Sequence, residues 1–128
     1  MGDKTNIVLQ NSEWPIMECL WEENPRTLMQ LVSCLKDRTG WAKSTVATLV
    51  GRMEAKGLIY FKEGGRAKQY YPAVTREEVA AAETRSLLSR VYQDNVGLMM
   101  STLVEQGLTR QEIGELYEIL KKAEEAER

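Results

Sequence analysis

Lys43, Ser44, Thr45, Ala47, Thr48 and Arg52 fall on one side of a helical repeat, and a cationic loop, Lys62-Glu63-Gly64-Gly65-Arg66-Ala67-Lys68, follows them. Short hydroxyl and methyl side chains let a helix backbone approach base edges, while a lysine or arginine at either end reaches phosphate or guanine. The chemistry on offer is therefore recognition of a polyanion. Bond-making chemistry has little to work with. The chain contains no histidine, the commonest general base. Its paired carboxylates, Glu22-Glu23 and Glu77-Glu78, are neighbours of the kind that serve as solvated surface or as partners of a helix dipole. With no nucleophile–base pattern and no phosphate loop, an enzyme is not expected, and neither a cofactor nor a metal is called for. A copper or zinc site would need more ligands than Cys19 and Cys34.

The elements that must position these residues are written in the apolar periodicity. Val46, Leu49, Val50 and Met53 stand at i, i+3, i+4 and i+7 and predict a helix from Lys43 to about Lys56, ended by Gly57. Leu58-Ile59-Tyr60-Phe61-Lys62 and Gln69-Tyr70-Tyr71 read as strands joined at a Gly64-Gly65 tip. Upstream, Ser12 is a candidate N-cap for a first helix lined by Trp14, Met17, Leu20 and Trp21, with Pro15 in its first turn. After the break at Glu22-Glu23-Asn24-Pro25, Thr27-Leu28-Met29-Gln30 has the form of a capping box, and Leu28, Leu31, Val32 and Leu35 continue one face. Lys36 to Gly40 reads as a polar turn. Helix, helix, turn, helix and hairpin make a winged helix-turn-helix, expected over residues 10–74. The alternative is an ordinary surface helix packed on an ordinary hairpin. The tryptophans are expected to anchor the core, because they lie on apolar stripes.

The net charge of −2 conceals a polarised distribution. Residues 36–72 hold eight cations against three anions, a net of +5, whereas residues 1–35 carry −3 and residues 73–128 carry −4. Positive charge is gathered where phosphate neutralisation would use it.

Downstream, Thr75-Arg76-Glu77-Glu78 opens a long helix with Val79, Leu87, Leu88, Val91 and Tyr92 among its apolar positions. A short helix is expected around Val96 to Glu105, ending near Gly107. Thr109-Arg110-Gln111-Glu112 opens a last helix with Ile113, Leu116, Tyr117 and Leu120 on one side and a charged, fraying end from Lys121. Three helices cannot bury these stripes alone, so residues 75–128 are expected to form a helical dimerisation region, with Leu87, Leu88, Val91, Ile113, Leu116 and Leu120 in the interface of a homodimer. Folding back on the winged helix is the alternative. The fold class is thus mostly α with a small β-hairpin. No stretch approaches the roughly 18–20 apolar residues of a membrane span, and the N-terminus lacks signal-peptide architecture, so a cytoplasmic protein without membrane insertion is expected. Cys19 and Cys34, both within predicted helices, are expected as buried free thiols in a reducing cytosol.

Taken together, these residues resemble the penicillinase-repressor (BlaI/MecI-type) family of winged-helix transcriptional regulators. The resemblance rests on Glu13-Trp14 with Met17 and Leu20-Trp21, on Ser44 through Val50 with Arg52-Met53, on Lys56-Gly57-Leu58-Ile59, and on Gly65 through Glu78. It covers roughly residues 10 to 122. It implies a homodimeric repressor of resistance or stress genes that binds an inverted-repeat DNA operator through its winged helices. It also implies an upstream membrane sensor-peptidase that triggers cleavage in the C-terminal region. The family's recognition contacts map onto Ser44, Thr45, Ala47, Thr48 and Arg52; Ala47 stands where relatives often carry a longer polar side chain. The family's cleavage position maps by spacing onto Ser101-Thr102, where relatives carry an asparagine-phenylalanine pair. A copper-responsive branch carries clustered C-terminal cysteines, which Lys121-Lys122-Ala123-Glu124-Glu125 lacks. The rival functional class is a winged-helix protein-interaction module without DNA affinity.

Overall fold

Three capping boxes set the starts of three of the six helices among the described residues of the structure, a computed structural model that describes residues 7–127. The helices are α1 (Trp14–Glu22), α2 (Leu28–Leu35), α3 (Lys43–Ala55), α4 (Arg76–Tyr92), α5 (Val96–Glu105) and α6 (Arg110–Ala126); the strands β1 (Ile59–Gly64) and β2 (Ala67–Pro72) lie between α3 and α4. Thr27 accepts from the Gln30 N–H at 3.2 Å while the Gln30 side chain accepts from Thr27 N–H at 2.8 Å, and Thr75/Glu78 and Thr109/Glu112 make the same reciprocal pair. Gly57 ends α3 at φ +80°, a conformation that costs a residue with a Cβ and glycine nothing. At the wing, Gly64 pairs with Ala67, so Gly65 (φ +75°) and Arg66 form the two-residue tip of an antiparallel hairpin.

Two compact units divide within α4, one running through Ser86 and the other beginning at Leu87. In the first, Ile16, Met17 and Leu20 of α1, Leu31 and Leu35 of α2, and Val46 and Met53 of α3 are fully buried. They share a core with Leu58, Ile59, Tyr70, Val74 and Val79. Each such side chain contributes roughly 1.5–3 kcal/mol by leaving water. The tryptophans of α1 do anchor this core from its margin. Trp14 and Trp21 meet edge to face at 6.1 Å, and the Trp21 indole donates to the Val74 carbonyl at 2.9 Å. Arg26 and Tyr70 exchange backbone hydrogen bonds at 3.1 and 2.9 Å, which ties the α1–α2 connection to the wing.

In the second unit the last turns of α4 precede α5 and α6. Gln93 and Asp94 take positive φ, after which the Asn95 side chain caps α5 through the Leu98 N–H at 2.9 Å. Neither α5 nor α6 buries a residue.

Four sequence expectations are corrected. The hairpin tip is Gly65-Arg66, one position beyond the expected Gly64-Gly65, because Gly64 pairs with Ala67 and still belongs to the ladder. The N-cap of α1 is Glu13 rather than Ser12, and its carboxylate is directed to other partners. The helix expected to fray from Lys121 continues to Ala126, consistent with the good helix propensity of Lys, Ala and Glu. Cys19 and Cys34, expected as free thiols, are joined as a disulfide with their Cα atoms 6.4 Å apart. The crossing of α1 and α2 brings the two positions together, a proximity that helical periodicity within either element does not encode.

Candidate nucleic-acid interface

α3 divides cleanly into a buried and an open side. Val46, Leu49, Val50 and Met53 face the core, and Lys43, Ser44, Thr45, Ala47, Thr48, Gly51 and Arg52 are all exposed. The Thr48 hydroxyl donates to the Ser44 carbonyl at 3.0 Å, one turn back. Its proton is thereby committed, leaving oxygen lone pairs and a methyl group to face outward. Gly51 has nothing within 4 Å of where a Cβ would stand, so a ligand can come close to the helix backbone there. Arg52 lies in the last turn, where a cation complements the helix dipole.

A shallow groove of about 430 Å³ runs along this side, lined by Ser12, Trp41, Ser44, Thr45, Thr48, Leu49 and Arg52. It brings together four of the residues expected to read DNA. Lys43 and Ala47 stand exposed on the same helix outside the groove lining, and Arg66 and Lys68 are exposed on the hairpin. Trp41 and Ser12 were not among the expected site residues. Trp41 differs from the other two tryptophans in belonging to no apolar stripe; it follows the polar turn and stands just ahead of α3, and that isolation was the available signal.

The wing carries its cations on aromatic faces. Lys68 Nζ lies 4.0 Å from the centroid of Phe61, and Lys62 Nζ lies 5.1 Å from that of Tyr71. Tyr71 in turn stacks on Tyr60 at 5.2 Å with ring planes 10° apart. These rings hold ammonium groups without neutralising them.

Two of the cations between residues 36 and 72 are consumed by structure. Arg38 grips both carboxylate oxygens of Glu22 at 2.6 and 2.7 Å, and this hydrogen bond holds the Glu22 carboxyl below its ordinary range and raises Arg38. Lys56 pairs with Glu13. Among the described residues, Lys36, Lys43, Arg52, Lys62, Arg66 and Lys68 have no ion-pair partner, so their charge is available to an external anion.

The residues expected at a dimer interface lie in the second unit. Leu87, Val91, Ile113 and Leu120 are exposed, Val91 by 50% and Leu120 by 64%, while Leu88 and Leu116 are half-buried. Val96, Leu98, Leu103, Val104, Tyr117 and Ile119 add further exposed apolar surface that the expected set left out. Ser101 and Thr102 lie inside α5, and the Thr102 hydroxyl donates to the Leu98 carbonyl at 2.9 Å.

The family model for the penicillinase repressor matches residues 9–122. The methicillin resistance regulatory protein MecI of Staphylococcus aureus is 25% identical over 121 residues, which span 94% of this chain and 98% of that protein. The penicillinase repressor of Bacillus licheniformis is 24% identical over 115 residues, 89% of this chain and 90% of that one. The solved DNA-binding domain of the repressor BlaI aligns with a TM-score of 0.52 at 19% identity, covering 61% of this chain and 93% of the domain. A variant of the S. aureus regulator MepR, bound to an oligodeoxyribonucleotide, aligns with a TM-score of 0.52 at 19% identity over 94% of this chain and 80% of that one. Both alignments speak for the winged-helix fold.

Proposed function

The chain belongs to the penicillinase repressor family, and from that premise we propose that it represses transcription by placing α3 in the major groove of an inverted-repeat operator as a homodimer. The observation that carries the reading is the coincidence of an open, short-side-chained helix face with six cations that have no ion-pair partner among the described residues. Ser44, Thr45, Ala47 and Thr48 are the candidates for base edges, with Arg52 reaching guanine or phosphate. Lys43, Arg66 and Lys68 are assigned to the phosphate backbone, which fixes register without reading sequence.

The exposed apolar positions of α5 and α6 support self-association through the second unit, since patches of this kind mark interaction surfaces. A symmetric pair would set two half-sites about one DNA turn apart, roughly 10 bp, or a multiple of it. We attach release to loss of that dimer. A cut at Ser101-Thr102 by a membrane sensor-peptidase would separate α6 from the rest and turn two linked half-site contacts into one. Because the bond lies within a helix, α5 must unwind locally before a protease can engage it. A protein with this task works in the cytoplasm, and the regulated genes would be those of resistance or stress responses. None of the helices among the described residues is long and apolar enough to cross a membrane.

Selection of duplexes from a random pool by the full-length chain, followed by salt titration, tests the reading. Enrichment of a palindrome is expected, with affinity falling steeply as salt rises, at a log–log slope of roughly −5 for each head if all six cations meet phosphate. A chain that enriches no sequence and whose weak binding ignores salt would instead be a protein-interaction module.

A further inference from the structure

Cys19 and Cys34 join α1 to α2, fifteen positions apart in the chain, and their surroundings differ. Cys19 is fully buried, whereas Cys34 is only partly covered. Thiol–disulfide exchange requires access to a sulfur, so an incoming thiolate reaches Cys34 first. Cys34 also immediately precedes the residue that organises the turn into α3. The Leu35 carbonyl accepts from the N–H groups of Arg38, Thr39 and Gly40 at 3.1, 2.8 and 3.1 Å, and the Leu35 side chain is fully buried in the core that seats α3.

We propose that the Cys19–Cys34 pair is a thiol-exchange site, attacked at Cys34 by a low-molecular-weight thiol, whose opening loosens α2 and the turn that aims α3. In the first step the thiolate forms a bond to Cys34 Sγ while the Cys19–Cys34 bond breaks. The electron pair leaves on Cys19 Sγ, which takes up a proton. A second thiolate then attacks the adduct and releases Cys34 as a thiol, so two small thiols become one disulfide and the protein gains two thiols. The oxidised form of the same small thiol reverses both steps. The consequence for DNA rests on the repressor reading above. A protein that works on DNA in the cytoplasm meets a reducing pool, where disulfides that form are mostly catalytic or redox-sensing.

The test uses the full-length chain, air-oxidised and then exposed to glutathione or dithiothreitol. Peptide mass spectrometry after native alkylation should find both cysteines protected before reduction and a glutathione adduct on Cys34 but not on Cys19. Reduction should lower the melting temperature on the order of 10 °C, and Cys34→Ala should start from the lower value and ignore reductant. Binding to the duplex pool selected by the oxidised chain should weaken several-fold on reduction. Alkylated thiols in the oxidised chain, an adduct on Cys19, or equal melting of both forms would overturn the exchange site. Equal duplex affinity in the two forms would overturn its coupling to α3. If neither form binds any duplex, the repressor reading fails, while labelling and melting still judge the exchange site.

Discussion

The Glu13 carboxylate and the Lys56 ammonium, 43 positions apart, meet at 2.7 and 2.9 Å. Glu13 is nearly sealed, with 4% of its side chain exposed, and its Oε1 also accepts from the Gln10 N–H at 2.8 Å. The pair clamps the start of α1 to the C-cap of α3, so the far end of α3 is fixed by charge as well as by packing.

Removing one partner should therefore cost more than a surface ion pair does. Lys56→Met leaves a sheltered carboxylate with one remaining donor and is expected to lower stability by about 1–3 kcal/mol. Glu13→Leu combined with Lys56→Met should recover part of that loss. An unchanged urea midpoint in Lys56→Met would show that the pair contributes nothing.

Recognition should separate into two kinds of variant. With the Thr48 hydroxyl donating to the Ser44 carbonyl, its oxygen is left to accept from a base, which favours an adenine or cytosine amino group. Thr48→Val and Thr48→Ala should then lose discrimination at one operator position alike, by about 1–3 kcal/mol. Lys68→Ala should weaken all duplexes similarly and reduce the salt slope by about one unit. Quantitative gel shifts on matched and mismatched duplexes distinguish these outcomes, and wild-type behaviour in both would place the reading face elsewhere.

Self-association should be sensitive to charge on α6. Leu120 is 64% exposed and Tyr117 is 71% exposed, so Leu120→Glu is tolerated by the protomer and opposed only by a partner. Sedimentation should show dimers for the parent and monomers for the variant, with palindrome affinity reduced and far-UV circular dichroism preserved. A monomeric parent at micromolar concentration would end the dimer proposal.

Acid should weaken the first unit through Glu22. The Arg38 hydrogen bond holds its folded carboxyl below the ordinary value of 4.5. The contribution is therefore present above that value and lost as pH falls through the lower, folded one. Stability measured between about pH 5 and pH 3 should fall less steeply in Glu22→Gln. Tyr70 has the opposite sign, since burial raises its pKa from 10.0 and keeps the folded phenol neutral. Its contribution is present below about pH 10 and lost as pH rises through the folded value, a loss that Tyr70→Phe should remove. A parallel fall in parent and variant at either end would exclude these groups as its source.

What was legible in the sequence was local or periodic. The Thr27, Thr75 and Thr109 boxes span four residues each, and the two sides of α3 follow from a single helical period. The glycines marked a hairpin, but its tip lies at Gly65-Arg66, one position beyond the Gly64-Gly65 they suggested, because strand register and not composition decides which residue leaves the ladder. What was not legible joins distant positions. Glu13 stands at the N-cap of α1, yet its carboxylate serves Lys56 across 43 residues and makes no capping bond to its own helix. Cys19 meets Cys34 across a helix crossing, and the Arg26–Tyr70 bridge is too short to leave a strand pattern. The cationic face was visible as composition. The sequence did not distinguish Lys43 and Arg52 from Arg38 and Lys56, because only tertiary structure decides which cations already have a carboxylate.

Gly51 gives the reading helix an evolutionary degree of freedom. A glycine within a helix forgoes roughly 1 kcal/mol relative to alanine, and the open space beside it means that no packing constraint demands this. Replacement would make the fold more robust and at the same time place a side chain between the backbone and whatever lies against it. Under the proposed DNA-reading role of α3, a substitution at position 51 would alter the contacting surface while gaining stability, so a change of preference there would carry no folding penalty for later substitutions to repair.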